Sequence, residues 1–478
     1  MGTIEYFGAC VAMAICIGFF LRVWKANNRA STVITPFLLF SVMEILINWP
    51  AAFLAPMMGE ARDLLPLVYL LCGFVLFLIG VIVGDQVLKH RATEILNFRS
   101  EKVEAARPYV YFVNSLALLA FLLPISLFFY QGVPPIVESM EAVFRGADNF
   151  EVAISLGQSR RMLTKEHYFG GEYRGQGLLR MVLRVGWPFL VAIALTVYIR
   201  TRRKVWGVIA ACWFVLTFVF VAGEGTRAPF LFSLIFLVVL ISLLKQLKYR
   251  TIFVGAGLFI ALMVGLSLMT TKLQWAVGHS NSVSMMVDSI VSRILYINGM
   301  NTIHITELIR DGTWDFRYGE VHLQRVLNAI PGVQWGTPFS HQLFMTMNPF
   351  STETTYASAT YFGDIYADFG PVGVVVIYFY LGLFVAFIQK LIFRIPRTVL
   401  NLPLAAYLIF AVAFIPLTGF VGFLSVLPVV AFVYLIPYAA TRMISRRRVR
   451  SALPRLTRPG VRRRDLPGGY RPAGMTTD

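Results

Sequence analysis

A chain of 478 residues in which 57% are hydrophobic and only 14% charged, with a mean hydropathy of +0.68, carries too little polar surface for a water-soluble globule and reads as an all-α polytopic membrane protein. Half of its net charge of +18 comes from the stretch after Thr441, where eleven arginines face only Asp465 and Asp478. That stretch has no aromatic interleaving beyond Tyr470, which argues for an anionic membrane face and against nucleic acid as its partner.

In chain order, the first apolar run lacks a basic segment before it and ends at Arg22, so it reads as a retained helix and not a cleaved signal. Crossing the hydrocarbon takes roughly 20 apolar residues. About eleven such runs (ten to twelve) occur, near 4–21, 32–56, 65–87, 109–130, 182–199, 205–222, 228–244, 251–271, 370–390, 398–418 and 420–440. Cys10, Cys16, Cys72 and Cys212 all fall inside these runs, which excludes a loop disulfide or a zinc site. Basic residues gather in alternate connections: Arg22/Lys25/Arg29, Lys89 to Arg107, Arg200 to Lys204, Lys245/Lys248/Arg250 and Lys390/Arg394/Arg397. The positive-inside rule assigns these and the C-terminus to the cytoplasm. What remains faces outward: a short connection at Met57–Leu64, a loop over 131–181, the turn Gly223–Arg227 and a loop over 272–369. Residues 1–441 therefore read as one transmembrane domain whose two long extracytoplasmic loops cover a site, followed by a basic, disordered cytoplasmic tail over 442–478. Loops of that size exceed what a pore or carrier requires, and they favour recognition or chemistry outside the membrane.

The polar residues that stand out cluster at that outer face. The turn Val221–Phe230 holds Glu224 and Arg227 between two apolar runs, where charges are costly unless used or paired with each other. The first long loop carries Arg160 and Arg161 among Tyr168, Phe169 and Tyr173, a mixture suited to phosphate and sugar faces. Arg180 and Arg184 follow four residues apart on an entering helix, where they either bind substrate or snorkel to headgroups. In the second loop a helix is predicted over 285–310, interrupted near Gly299, with Arg293 and His304 within about 20° of one azimuth. That stripe lines a cleft or is the wet side of an interfacial helix. Arg325, His341 and the hydroxyl-rich run Ser351–Ser358 come later. Carboxylates are scattered, so no metal site is expected. Asp368-Phe369-Gly370 spells a kinase magnesium motif without its companions and reads as chance, and no Walker A sequence is present. Glu44, inside the second span, is either a proton relay or a paired structural group.

Two local patterns and the overall plan point to one family. The Gly225-Thr226-Arg227 turn opens an apolar helix, and Phe362-Gly-Asp-Ile-Tyr-Ala-Asp-Phe-Gly-Pro-Val-Gly373 runs into the ninth span after the large loop. With the two outer loops, these resemble the bacterial oligosaccharide repeat-unit polymerases, the Wzy-type O-antigen and capsule polymerases. Arg160 to Gly171 and Arg325 to Gly336 match the Arg, ten residues, Gly spacing of some members. The resemblance implies a GT-C-like bundle in the bacterial cytoplasmic membrane. It implies glycosyl transfer from an oligosaccharide on undecaprenyl or a related polyprenyl diphosphate, without nucleotide sugar, metal or cofactor. The implied partners are membrane lipids, a chain-length regulator and a flippase. In that chemistry Arg227 leads the stabilisation of the leaving diphosphate, Glu224, His341 or Asp364 deprotonates the acceptor, and Arg160, Arg161, Arg180, Arg184, Arg293, His304, Arg325 and Tyr366 hold substrate. A glycan ligase of the same plan, a lipid-linked-glycan flippase or exporter, and a scaffold docking through its tail remain alternatives.

Overall fold

The computed structural model describes residues 3–27, 34–88, 187–217, 227–245, 298–328, 333, 335–349, 357 and 359–430, with the isolated positions 141, 145 and 257. Among the described residues every element is helical: α1 (Thr3–Asn27), α2 (Pro36–Leu54), α3 (Leu65–Val87), α4 (Trp187–Thr201), α5 (Lys204–Thr217), α6 (Arg227–Leu244), α7 (Asn298–Arg310), α8 (Glu320–Asn328), α9 (Phe339–Met347), α10 (Tyr361–Arg394), α11 (Asn401–Ala413) and α12 (Ile415–Val430). Four of them, over Ile4–Ala26, Pro36–Leu54, Leu65–Val87 and Tyr361–Arg394, are long and apolar enough to cross a membrane. The chain is an α-helical membrane protein. The expected spans 109–130 and 251–271 and the tail 442–478 lie outside the described residues, apart from position 257.

Local chemistry sets the helix starts. Thr35 Oγ1 accepts from Leu38 N at 3.2 Å and Pro36 takes the first position of α2, the arrangement that answers an orphan N–H without needing another. At α3 the same work falls to Asp63, whose Oδ1 accepts from Leu65 N at 2.9 Å. α3 matches its predicted span, since an uninterrupted apolar run is bounded at both ends.

The last third of the chain differs from expectation. A single helix, α10, begins at Tyr361, nine residues before the predicted 370–390 span, so the end of the expected outer loop is helical and buried. This helix is bent sharply at Gly370 (φ 63°, ψ −159°), ahead of Pro371. Residues 361–369 and 371–394 form two arms, and a Cβ on Gly373 would lie 3.5 Å from Ile365 Cγ2, a contact impossible in a straight helix. Breaking the helix frees carbonyls, and Ala367 O and Asp368 O accept from Arg317 N and Tyr318 N, each at 2.9 Å. At the start of the first arm Thr360 N donates to Thr302 Oγ1 of α7 at 3.1 Å. The predicted division between 398–418 and 420–440 coincides with a backbone break at Gly419, and a second interruption precedes it. α11 stops at Ala413 because Pro416 opens the next helix, and Gly419 (φ 73°) interrupts α12 from within.

The centre of the bundle is the seam between α3 and the second arm of α10. In lipid, helices gain little from apolar transfer and associate through close packing, which small residues permit. At this seam a Cβ on Gly80 would collide with Phe379 O, and one on Gly382 with Phe77 O. Beside the seam Phe40 stacks on Phe77 at 4.5 Å, and Trp49 meets Phe74 edge-on at 5.3 Å. At the far end, Arg397 reaches from the α10–α11 connection to Leu243 O of α6 at 2.8 Å, joining two of the basic connections expected on one side.

Gly80→Leu or Gly382→Leu is therefore expected to lower stability by about 1–3 kcal/mol or more through overpacking. Gly8→Leu, with nothing within 4 Å of its Cβ, should be neutral. Thermal unfolding midpoints of the three variants in detergent measure the contrast.

Candidate functional site

The two glycine breaks converge on one group of charged side chains. α8 lies against the first arm of α10, running the opposite way, so that His322 and Arg325, three apart on α8, meet Asp368 and Asp364, four apart on α10. Asp368 is fully buried and receives the exposed donors of the α8 N-terminus: Val321 N reaches its Oδ1 and His322 N its Oδ2, both at 3.0 Å. A carboxylate at that position satisfies orphan N–H groups and meets the positive end of the helix dipole. Its Oδ2 also lies 2.5 Å from His322 Nδ1, which fixes the imidazole plane. The other ring nitrogen, Nε2, is buried without a partner. Tyr361 and Phe369 hold the ring from two sides, at 5.6 and 5.9 Å.

One turn along, Arg325 Nη2 donates to Asp364 Oδ1 at 2.7 Å and Nη1 to Thr418 O at 3.3 Å. That carbonyl sits at the interruption of α12. Gly419 is needed there for two reasons: its φ is positive, and a Cβ would stand 3.3 Å from Arg325 Nη1 and 3.5 Å from Asp364 Oδ2. Asp364 Oδ2 is buried and unpartnered. The site thus offers a guanidinium with donors to spare, a free carboxylate oxygen and an oriented imidazole with a free nitrogen, all fixed by rigid helices. Among the described residues no group of three metal-ligating side chains forms.

Of the residues singled out in the sequence, Arg325 and Asp364 are brought together here. Gly336, eleven positions after Arg325, takes a positive φ of 66° in the turn that returns the chain to α9, where Gln324 accepts from Phe339 N at 2.9 Å. His341 lies in the first turn of α9. Tyr366 is buried in an aromatic cluster with Tyr69, Phe316 and Phe362. Arg227 opens α6, but its side chain is outside the described set, as are Arg160, Arg161, Arg180, Arg184, Glu224 and Arg293. Sequence reasoning missed His322, Asp368, Tyr361 and Gly419. The available signal was a His-x-x-Arg pair with an Asp-x-x-x-Asp pair, spacings that align charges on facing helices.

His304 belongs to a second cluster, which pins the α2–α3 connection to α7. Its Nε2 lies 3.4 Å from Glu60, Arg62 pairs with Glu307 at 3.6 Å and with Asp311, and Arg310 bridges Asp63 at 2.8 Å and Glu307 at 3.0 Å. The short connection and the large loop, both expected outside, do meet at one end of the bundle. Partial burial pushes the Asp63 carboxyl up, but hydrogen bonds from Arg310 and Leu65 and the nearby guanidinium charges outweigh it and hold it below its ordinary value of 3.8. A carboxyl depressed by folding contributes stability above its unfolded value and loses it as pH falls through the folded one. The difference in unfolding midpoint between wild type and Asp63→Asn should accordingly be constant near neutrality and close as pH drops below about 3.8. A difference that persists in acid would remove the ion pair from the account.

No protein-family model, curated protein or solved structure matches the chain.

Proposed function

We propose that this protein polymerises oligosaccharide repeat units carried on polyprenyl diphosphate, at the outer face of a bacterial cytoplasmic membrane. The observation that carries the reading is the pairing of Arg325, held on Asp364, with the His322–Asp368 couple whose Nε2 has no partner. Glycosyl transfer of this kind breaks the bond between the anomeric carbon and the diphosphate oxygen and forms one to an acceptor hydroxyl. Two needs follow: a cation where negative charge grows on the leaving diphosphate, and a base for the acceptor proton. Arg325 meets the first, assisted by Arg227 and the loop arginines. His322 Nε2 meets the second, with Asp368 holding the tautomer and steadying the imidazolium that forms. In this reading the unpartnered Asp364 Oδ2 stabilises the positive charge that builds at the anomeric carbon. The resemblance to the repeat-unit polymerases supports the same reading, and with it a bundle of about eleven spans, outward loops and a cytoplasmic tail.

One observation favours a second reading. Helices interrupted in mid-course, as α10 is at Gly370 and α12 at Gly419, are the device by which transporters build binding sites. A flippase or exporter of lipid-linked glycan would use Arg325 to hold the diphosphate without breaking a bond.

Surface glycan profiles from cells lacking the gene, complemented with variants, separate these readings. Arg325→Ala and His322→Ala, at normal protein level, are expected to slow chain growth about 10²-fold or more, leaving a single repeat unit in place of a ladder. Arg227→Ala is expected to act in the same direction. Full-length glycan left unattached to its final acceptor would identify a ligase. Normal ladders from Arg325→Ala and His322→Ala would remove the site from the chemistry.

A further inference from the structure

A second polar group lies within the bundle and has no part in the chemistry above. Ser41, Glu44 and Asn48 occupy one face of α2 at spacings of three and four, and each is at most 1% exposed. Tyr378 of α10 donates its hydroxyl to Glu44 Oε1 at 2.8 Å. Among the described residues Glu44 Oε2 and Ser41 Oγ have no partner, and the Asn48 amide stands against the carboxyl, its interaction there falling short of a full hydrogen bond. α7 closes the space: a Cβ on Gly299 would stand 2.8 Å from Ile47 O and 3.7 Å from Asn48 O. Apolar rings, Phe40 and Phe77, pack at the same level. Among the described residues the groups facing the carboxyl are thus Tyr378 and Asn48, with Ser41 one turn away on the same side of α2, and no cationic side chain pairs with it.

A carboxylate buried in an apolar bundle is too costly to stand on a tyrosine hydroxyl and a neighbouring amide alone, and the polar atoms left over around it are a place that something fills. We propose that Ser41, Glu44 and Asn48 form a site for one monovalent cation, a proton or a sodium ion, seated on Glu44 with water completing its surroundings. Three side-chain oxygens with a single formal charge are hard donors suited to a small singly charged ion, and they are too few for a divalent one. The Asn48 amide N–H that does not face the carboxyl needs an acceptor, which a cation does not supply and water does. Tyr378 gives the site a route to the rest of the molecule. It bonds Glu44 and lies within electrostatic reach of Tyr361, whose ring backs His322. The inference does not depend on the polymerase reading.

Infrared difference spectroscopy of the purified protein in lipid nanodiscs tests it, comparing wild type with Glu44→Gln, which keeps an acceptor for Tyr378. Spectra are taken from acid to alkaline pH, and in sodium chloride against choline chloride at equal ionic strength. A protonated-acid carbonyl band that disappears with rising pH and is missing from the variant identifies a proton. Carboxylate bands that shift when choline is replaced by sodium, again missing from the variant, identify sodium. Glu44 bands indifferent to both would overturn the proposal. Should Glu44→Gln fail to fold, carbodiimide labelling of the wild type, read at Glu44 by mass spectrometry, carries the same decision. Labelling suppressed by alkali or by sodium supports the site, and labelling unchanged by either overturns it.

Discussion

Among the described residues three carboxylates, those of Glu44, Asp364 and Asp368, are removed from water in a bundle filled mainly by aromatic and aliphatic side chains, and the local structure is organised by how each is answered. Asp368 is answered by two backbone N–H groups and an imidazole, which ties the start of α8 to α10. Asp364 is answered by Arg325 alone and keeps one oxygen free. Glu44 receives a tyrosine hydroxyl and the neighbouring Asn48 amide, both uncharged. Moving down that series, the compensation supplied by the described residues shrinks from three donors to one cation to uncharged groups alone.

The broken helices are the means by which Asp364 and Asp368 come into play. An unbroken α10 would carry its polar first arm into solvent, away from the seam with α3. Bending at Gly370 lays that arm back against the bundle, and the backbone groups exposed by the break are satisfied by Arg317 and Tyr318 from the loop that leads into α8. The break therefore positions α8, and α8 delivers His322 and Arg325. Gly419 does the complementary work on α12, since it allows Thr418 O to approach the guanidinium that Asp364 holds. Removing one partner of such a pair leaves a buried charge uncompensated, so geometry and stability are coupled at this site.

Much of the helical plan was legible because apolar runs announce spans: α3 over Leu65–Val87 follows directly from the apolar run between Asp63 and Asp85. The bend in α10 was not, because Gly370-Pro371 sits between two stretches that are each helical and apolar, and nothing local distinguishes a turn into lipid from a turn back into the bundle. Arg325 and Asp364 were each recognisable as unusual charges, though not as partners, since 39 positions separate them. Asp368 read as an accident of three letters. Its role arises only when a helix start 46 or 47 residues upstream arrives on top of it. His322 carries no local signal of its own, and its contact with Asp368 is what marks it out. His304, by contrast, belongs to the ion-pair network of the α2–α3 connection, a pairing across sequence that periodicity alone does not reveal.

The central claim is that the Arg325 and His322 site breaks a bond, and the most direct measurement is stoichiometric. Purified protein reconstituted with lipid-linked repeat units would be followed for both glycan length and free polyprenyl diphosphate. The account predicts one polyprenyl diphosphate released for each repeat unit added. Lipid-linked units that change leaflet while glycan length and free diphosphate stay constant would contradict it and leave transport as the activity of this fold.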